Sequence, residues 1–338
     1  MKHDSSIKRA FDIMLRSSKD DLSLTGLTSV KNIFAHCQDI VHYQEPLANH
    51  TSFGIGGRAE IFVTPKTLQQ LREIYRLCHK KRIPIYILGK GTNLLVNDRG
   101  VKGVVLKSQW FNIERKGDER LIVSAAYPLP KLINDATKMG LSGLEPLVGI
   151  PGTLGGAVVM NAGGKWGQIA DVIDSVNVIN KDGRIKTLYA RKGELQFDYR
   201  YSNLAPKGFG GRKELLSSCR QNILVSEVVI RLKSSGTGAI RKRIKEILDE
   251  KKMTQPLNAR SAGCVFRNQP CYSVGALIDR AGLKGVSVGG AKVSTKHANF
   301  IVNDGNAKAS DVMQLIKIIK KTIRKKFKVN LGLEIEVW

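Results

Sequence analysis

At 338 residues, 42% of them apolar, the chain is long enough for two or three domains with cores of their own, which excludes a small scaffold dependent on disulfides or a metal. Its five cysteines (Cys37, Cys78, Cys219, Cys264, Cys271) are odd in number and include no C-x-x-C pair, so a disulfide framework and a zinc finger are excluded and a reducing compartment is expected. A formal charge of +26 points to a polyanionic partner without choosing among nucleic acid, membrane, nucleotide or phosphorylated sugar.

The opening MKHDSSIKRAF lacks the apolar run of a signal peptide, and no segment approaches the ~20 apolar residues of a membrane helix. A soluble cytoplasmic protein with no membrane partner is expected. Residues 1 to 45 are polar and weakly periodic, which predicts an N-terminal helical appendage. From Ala59, AEIFVTP predicts a strand, Leu68 to Lys80 a helix, and IPIYILGKGTN a strand ending in a glycine turn. Strands at GVVLK and LIVSAA, a helix from Leu129 to Met139 and a glycine-dense stretch follow. SVNVIN and ILVSEVVIRL are strands flanking a turn at Lys181 to Gly183 and a loop from Asn203 to Asn222. A charged helix from Thr237 to Lys252 reads as a linker, with a domain boundary near residue 236. Beyond it are helices near 273 to 282 and 309 to 327, a strand near 299 to 302, and a closing strand from Leu333 to Trp338. In KIIKKTIRKKFK, Ile318, Ile319, Ile323 and Phe327 recur at helical spacing among cations. That reads as an amphipathic helix with a solvated basic face; with no helix-turn-helix, RNP or zinc signature, no specific nucleic-acid partner is expected.

The segment Gly89-Lys90-Gly91-Thr92-Asn93 follows an apolar strand, where glycines admit backbone N–H groups close to an anion and Lys90 adds a charge. It matches neither the dinucleotide fingerprint nor the P-loop, so an ordinary turn is the alternative. Residues 149 to 164, GIPGTLGGAVVMNAGG, hold six glycines beside Pro151, Thr153 and Asn161. A tightly turned core crossing explains that density as well as a ligand surface does. Two such surfaces together suit a large anionic cofactor of dinucleotide shape. FDYRYS sets Tyr199, Arg200 and Ser202 at the end of a predicted strand, where a guanidinium clamps a carboxylate or lies exposed. After a small-residue turn, Cys264 is a buried inert thiol or, with a reference pKa of ~8.5, an acid. Of Glu334 and Glu336 on the closing strand, only one is expected to point into a given pocket. No Ser/His/Asp arrangement supports a hydrolase, and the histidines lack metal-ligand spacing, so no metal is expected.

Taken in order, TSFGIGGRAE, LGKGTNLLV, GLSGLEPLVGIPGTLGGAVVMNAG, FDYRYS, TQPLNARSAGCVFRN, GALIDRAGLKG, VSTKHANFIVN and LEIEV resemble the UDP-N-acetylenolpyruvoylglucosamine reductase (MurB) family over roughly residues 45 to 338. The resemblance implies an α+β chain with the vanillyl-alcohol-oxidase-like (PCMH-type) FAD-binding fold. Its FAD-binding domain would span 46–236 in two subdomains, about 46–120 and 121–236, with a third, α+β substrate-binding domain at 237–338. GALIDRAGLKG is similar to the branch lacking a long tyrosine-bearing substrate loop. Also implied are non-covalent FAD, NADPH as hydride donor, UDP-N-acetylglucosamine enolpyruvate as substrate, a role in peptidoglycan precursor synthesis, and a monomer.

By the same resemblance Arg200 clamps the substrate carboxylate, Glu336 polarises it, and Cys264 is the acid where serine is usual. The thiol is expected to preserve activity and add sensitivity to oxidation and alkylation. Tyr199 and Asn268 match the substrate site. Flavin contacts carry over to Gly54, Gly56, Gly89, Lys90, Gly91, Thr92 and Asn93, and to Gly152, Thr153, Gly155, Gly156 and Asn161. The turn GGKWG, residues 163 to 167, is one residue longer than the family's, and the loop at 203 to 222 is extended. A flavin oxidase of the same fold and a basic nucleic-acid-binding protein are the competing readings; the third-domain motifs oppose the first, the glycine loops the second.

Overall fold

The computed structural model describes residues 39–205, 223–269 and 271–338. Most of the predicted N-terminal appendage and of the long loop after Asn203 therefore lies outside the described residues.

The first body begins earlier than predicted. Val41–Pro46 (β1) pairs antiparallel with Arg58–Val63 (β2), so the end of the expected appendage is an edge strand. Its signal is weak because an edge strand tolerates polar residues, and here only Val41 is buried. Helix Leu68–Lys80 (α1) matches its predicted span; Thr67 caps it by accepting from the Gln70 N–H. Leu71, Ile74, Tyr75 and Cys78 recur at helical spacing and pack on Ile61, Val63 and Val104. Ile85–Ile87 (β3), Leu94–Leu95 (β4) and Val101–Leu106 (β5) follow, and the sheet order is β1-β2-β5-β3.

The second body is built on a five-stranded antiparallel sheet. Its elements begin with Ile113–Lys116 (β6), Arg120–Ser124 (β7), Leu129–Lys138 (α2), Leu141–Ser142 (β8) and Leu154–Val159 (α3). A hairpin of Gly163–Gly164 (β9) and Gly167–Gln168 (β10) precedes Ile173–Asn180 (β11) and Ile185–Tyr189 (β12). A second hairpin, Phe197–Asp198 (β13) with Tyr201–Ser202 (β14), is followed by Ile223–Arg231 (β15), Lys233–Ser234 (β16) and Thr237–Thr254 (α4). The sheet runs β12-β11-β15-β7-β6, with α2 and α3 packed on it through Leu132, Leu154 and Val158. Helix α4 is no free linker: Ile247 is fully buried in this same core, with Ile244 and Leu248 against it. The change from one core to the next thus falls after Thr254 rather than near residue 236.

The third body has Ser261–Cys264 (β17), Val274–Arg280 (α5), Ser287–Val288 (β18), Ala291–Val293 (β19), Phe300–Asn303 (β20), Ala309–Phe327 (α6) and Glu336–Val337 (β21). Its sheet order is β17-β20-β19-β18. On α6, Ile319 and Ile323 are buried while Ile318 is 36% exposed among lysines, so the basic stretch is an amphipathic helix with its cations outward. The predicted closing strand shortens to two residues because the segment changes partner midway. Leu333 bridges to Phe266 and the Glu334 N–H donates to Val265 O, but from Glu336 onward the chain pairs in parallel with β4 of the first body.

Side chains from the first body complete the third. Phe53, Ile55 and Leu95 belong to its core, and Asp98 accepts from the Ala309 and Ser310 N–H groups at the start of α6. Burial alone would raise the Asp98 carboxyl, but these hydrogen bonds outweigh it and hold it below the ordinary carboxylate value. Phe53 is fully buried. Phe53→Ala is expected to destabilise the protein by ~3–5 kcal/mol, read as a lower urea midpoint at unchanged slope. A midpoint within error of the parent would mean that the ring does not tie the bodies together.

Candidate active site

A cavity of about 910 Å³ opens where the three bodies meet, at the upper end of the ~300–1,000 Å³ range for ligand sites. One wall is the loop between β3 and β4, bringing Gly89, Lys90, Gly91, Thr92 and Asn93 to the cavity. Gly91 is left-handed, and a Cβ there would stand 2.3 Å from the His50 carbonyl, so only glycine lets the loop close on the TSFG segment. Gly152, Thr153, Gly155 and Gly156 line the facing wall. Thr153 caps α3 by accepting from the Gly156 N–H, and a Cβ on Gly89 would come within 2.9 Å of its hydroxyl. The two glycine surfaces of the sequence thus face each other at close range.

Three predicted flavin contacts, Gly54, Gly56 and Asn161, also hold pieces of the chain together, and Asn161 borders the smaller adjoining cavity. Gly54 packs under the Arg260 and Asn303 side chains, and Gly56 leaves room for Val96, whose Cβ a methyl would approach to 2.8 Å. Neither lines the cavity. Asn161 is buried as a bracket: its amide donates to Gln168 Oε1 and Asp198 O, and its carbonyl accepts from the Ala170 N–H. These positions join pieces of chain that come together only in the fold.

Lys90 shares the wall with Lys107, whose ammonium is held below its ordinary value by burial and then by Lys90's charge. Lys107 Nζ lies 3.1 Å from His50 Nδ1, and His50 Nε2 lies 2.8 Å from Glu45 Oε1. Two adjacent lysines over a glycine cradle suit a diphosphate, which would relieve their repulsion. The walls fit a flavin dinucleotide on that ground.

The same cavity is lined by the groups expected to do chemistry. Arg200 lies at the tip of the β13–β14 hairpin, not at a strand end, with φ +53°, a conformation costly for a non-glycine residue. Its Nε donates to Glu334 Oε1 at 2.8 Å, the two side chains being 21% and 10% exposed. Burial pushes the Glu334 carboxyl up, and the pull of Arg200 and Arg267 only partly offsets it. Glu336 lines the cavity as well, so both carboxylates face it, correcting the expectation of one; residues two apart on an extended segment share a side. Tyr199 is 47% exposed, in a smaller adjoining cavity with Arg200, and Asn268 lies in the main wall while accepting from the Val274 N–H.

Cys264 ends β17 beside this pair. Burial, then the Glu334 charge, push its thiol up to about 12. A raised pKa leaves little thiolate near neutral pH, so slow alkylation is expected at Cys264. Iodoacetamide at pH 8 is expected to label the exposed Cys271 well before Cys264, read by peptide mass mapping. Equal rates would mean an accessible thiol of ordinary acidity.

One further group escaped notice in the sequence. Lys251 lines the cavity and donates to Val148 O at 2.6 Å; its place on the apolar side of α4 was readable from the spacing of Ile240, Ile244, Ile247 and Leu248. The long turn at 163–167 forms the β9–β10 hairpin, pinned to α4 by a Lys165–Glu250 ion pair and by Arg243 stacked 4.4 Å from the Trp166 ring centroid. Among the described residues no helix is long and apolar enough to cross a membrane, and no cluster of His, Cys, Asp or Glu has the makings of a metal site.

Comparison with known proteins adds four findings. The profile of the UDP-N-acetylenolpyruvoylglucosamine reductase C-terminal domain matches residues 255–338, and that of an FAD binding domain matches residues 59–189. A UDP-N-acetylenolpyruvoylglucosamine reductase of Clostridium botulinum (strain 657 / Type Ba4) is 38% identical over 316 residues, 92% of this chain and 98% of the relative. Its counterpart from Moorella thermoacetica is 40% identical over 295 residues, 87% of this chain and 92% of the relative. The crystal structure of the Thermus caldophilus enzyme of the same name superposes with a TM-score of 0.72 at 37% identity, covering 88% of this chain and 98% of that one.

Proposed function

The chain belongs to the UDP-N-acetylenolpyruvoylglucosamine reductase family, and from that premise we propose that it reduces UDP-N-acetylglucosamine enolpyruvate to UDP-N-acetylmuramate with FAD and NADPH, in peptidoglycan precursor synthesis. The fold is the expected vanillyl-alcohol-oxidase-like one with its third domain. The observation that carries the reading is one cavity lined both by the glycine cradle and by Arg200, Cys264 and two glutamates.

When bound, FAD supplies the carrier that passes hydride from NADPH to C3 of the enolpyruvyl ether. Gly89 to Asn93 and Gly152 to Gly156 would hold it, with Lys90 and Lys107 toward its phosphates. The rest is the work of this chain. Arg200 offers its terminal nitrogens to the substrate carboxylate, its Nε being engaged by Glu334, and so stabilises the negative charge that spreads onto that carboxylate. Glu336 faces the same carboxylate and polarises it. Cys264 delivers its proton to C2; its high pKa keeps the thiol fully loaded at neutral pH, while a carbanion is basic enough to take the proton. Tyr199 and Asn268 border the path of the nucleotide sugar.

All these groups come from one chain, which supports a monomer; a nucleotide-sugar substrate, NADPH and an odd number of cysteines support the cytoplasm. The test is the visible spectrum of the purified protein under anaerobic conditions. The flavin bands should bleach with NADPH and return on adding the enolpyruvyl sugar. A colourless protein that takes up no FAD, or a flavin that the sugar cannot reoxidise, overturns the reading.

A further inference from the structure

We infer that Glu334 is a positioning residue: it turns the Arg200 fork end-on into the cavity and sets a negative charge beside the Cys264 thiol. For turnover this rests on the reductase reading; for the thiol it does not.

Glu334 is 8% exposed and held on three sides. Its N–H donates to Val265 O at 2.8 Å, next to the acid; its carbonyl accepts from Asn93 Nδ2 at 3.1 Å, at the end of the glycine loop; its carboxylate accepts from Arg200 Nε at 2.8 Å. One residue thereby joins the cofactor loop, the acid and the clamp. An arginine presents either its side edge or its terminal nitrogen pair to a carboxylate, and Glu334 occupies the side edge. The terminal pair is what remains for the substrate. The Nε contact fixes the fork at the tip of a hairpin whose left-handed backbone already narrows its side-chain rotamers, and losing that contact leaves the guanidinium free to turn within those limits.

The charges around Glu334 fit the same role. Arg200 and Arg267 act on it from the β13–β14 hairpin and from the segment after β17, with the Tyr199 phenol and Cys264 close by; Lys251 of α4 acts on Arg200, and Glu336 faces the cavity beyond.

Glu334→Gln keeps the size and removes the charge; Glu334→Asp keeps the charge and withdraws it from Nε. In FAD-loaded protein, both are expected to lose about 10- to 100-fold in kcat with little change in flavin content, as for a misplaced catalytic group. Peptide-resolved iodoacetamide labelling of Cys264 at pH 9 should separate them. Glu334→Gln should label faster, about tenfold for each unit by which the thiol falls, whereas Glu334→Asp should label at the parent rate. Wild-type kcat in both variants overturns the positioning of Arg200. Equal acceleration of labelling in both means that the site has merely opened, and overturns the charge effect. A parent protein that binds FAD but never turns over the sugar sinks the reductase reading, and the labelling comparison still decides the charge effect.

Discussion

Cys264→Ala is expected to lower turnover by ~10²–10⁴-fold, the usual worth of a positioned general acid, while the flavin bleaches with NADPH at the parent rate. The split follows from what the thiol touches. Cys264 lines the cavity with Arg200 and Glu334 and is not one of the glycine-loop or lysine groups that would hold FAD, so its loss is expected to remove proton delivery to C2 and leave cofactor binding alone. In anaerobic stopped-flow, bleaching should be normal and reoxidation by the sugar slow. Cys264→Ser should restore most of the rate, because a hydroxyl donates a proton from the same position. Normal reoxidation in Cys264→Ala would assign the proton to water or another group.

Arg200→Ala is expected to cost ~10²–10³-fold in kcat/KM, the scale for removing one donor that stabilises developing negative charge, and to destabilise the fold by ~3–5 kcal/mol. The second effect arises because Glu334 keeps its burial and loses its partner at 2.8 Å. Its pH dependence has a definite sign. Burial already raises the Glu334 carboxyl, and removing Arg200 raises it further. The folded state then holds a proton that the unfolded state releases, so stability is present below the unfolded pKa and lost as pH rises toward the folded one. The difference in urea midpoint between Arg200→Ala and parent should widen from pH 5 to pH 8, and adding Glu334→Gln should recover part of it. A gap independent of pH would mean that Arg267 alone compensates the carboxylate. Lysine at 200 should not rescue turnover, since a point charge cannot replace a planar fork.

Much of the site was legible because its signals are local. Helices 68–80 and 309–327 lie where apolar spacing predicts them, and the Gly89–Asn93 and Gly152–Gly156 loops line the cavity because close backbone approach demands glycine wherever it occurs. Arg200 and Cys264 reach one place from motifs 64 residues apart. At Gly54 and Gly56 the close neighbours of the backbone are Arg260 and Val96; a glycine records that something comes near, not what it is. The polar strand β1 was missed because an edge needs little apolar alternation, and α4 was read as a linker because Ile247 is buried in a core whose other members are spread from Leu121 to Leu232, outside the helix's own periodicity.

The amino-acid sequence by itself determined the family and the cofactor class, and it nominated Arg200 as the clamp and Cys264 as the acid, since each depends on residue type in a short motif. Only the tertiary structure decided which glutamate holds Arg200, that both glutamates line one cavity, that Asn93 ties the cofactor loop to Glu334, and that Cys264 lies beside the Glu334 charge. Those are matters of partner and burial. They arise because the last six residues leave Val265 and Phe266 of the third body for β4 of the first, a change of hydrogen-bond partner that strand periodicity does not encode.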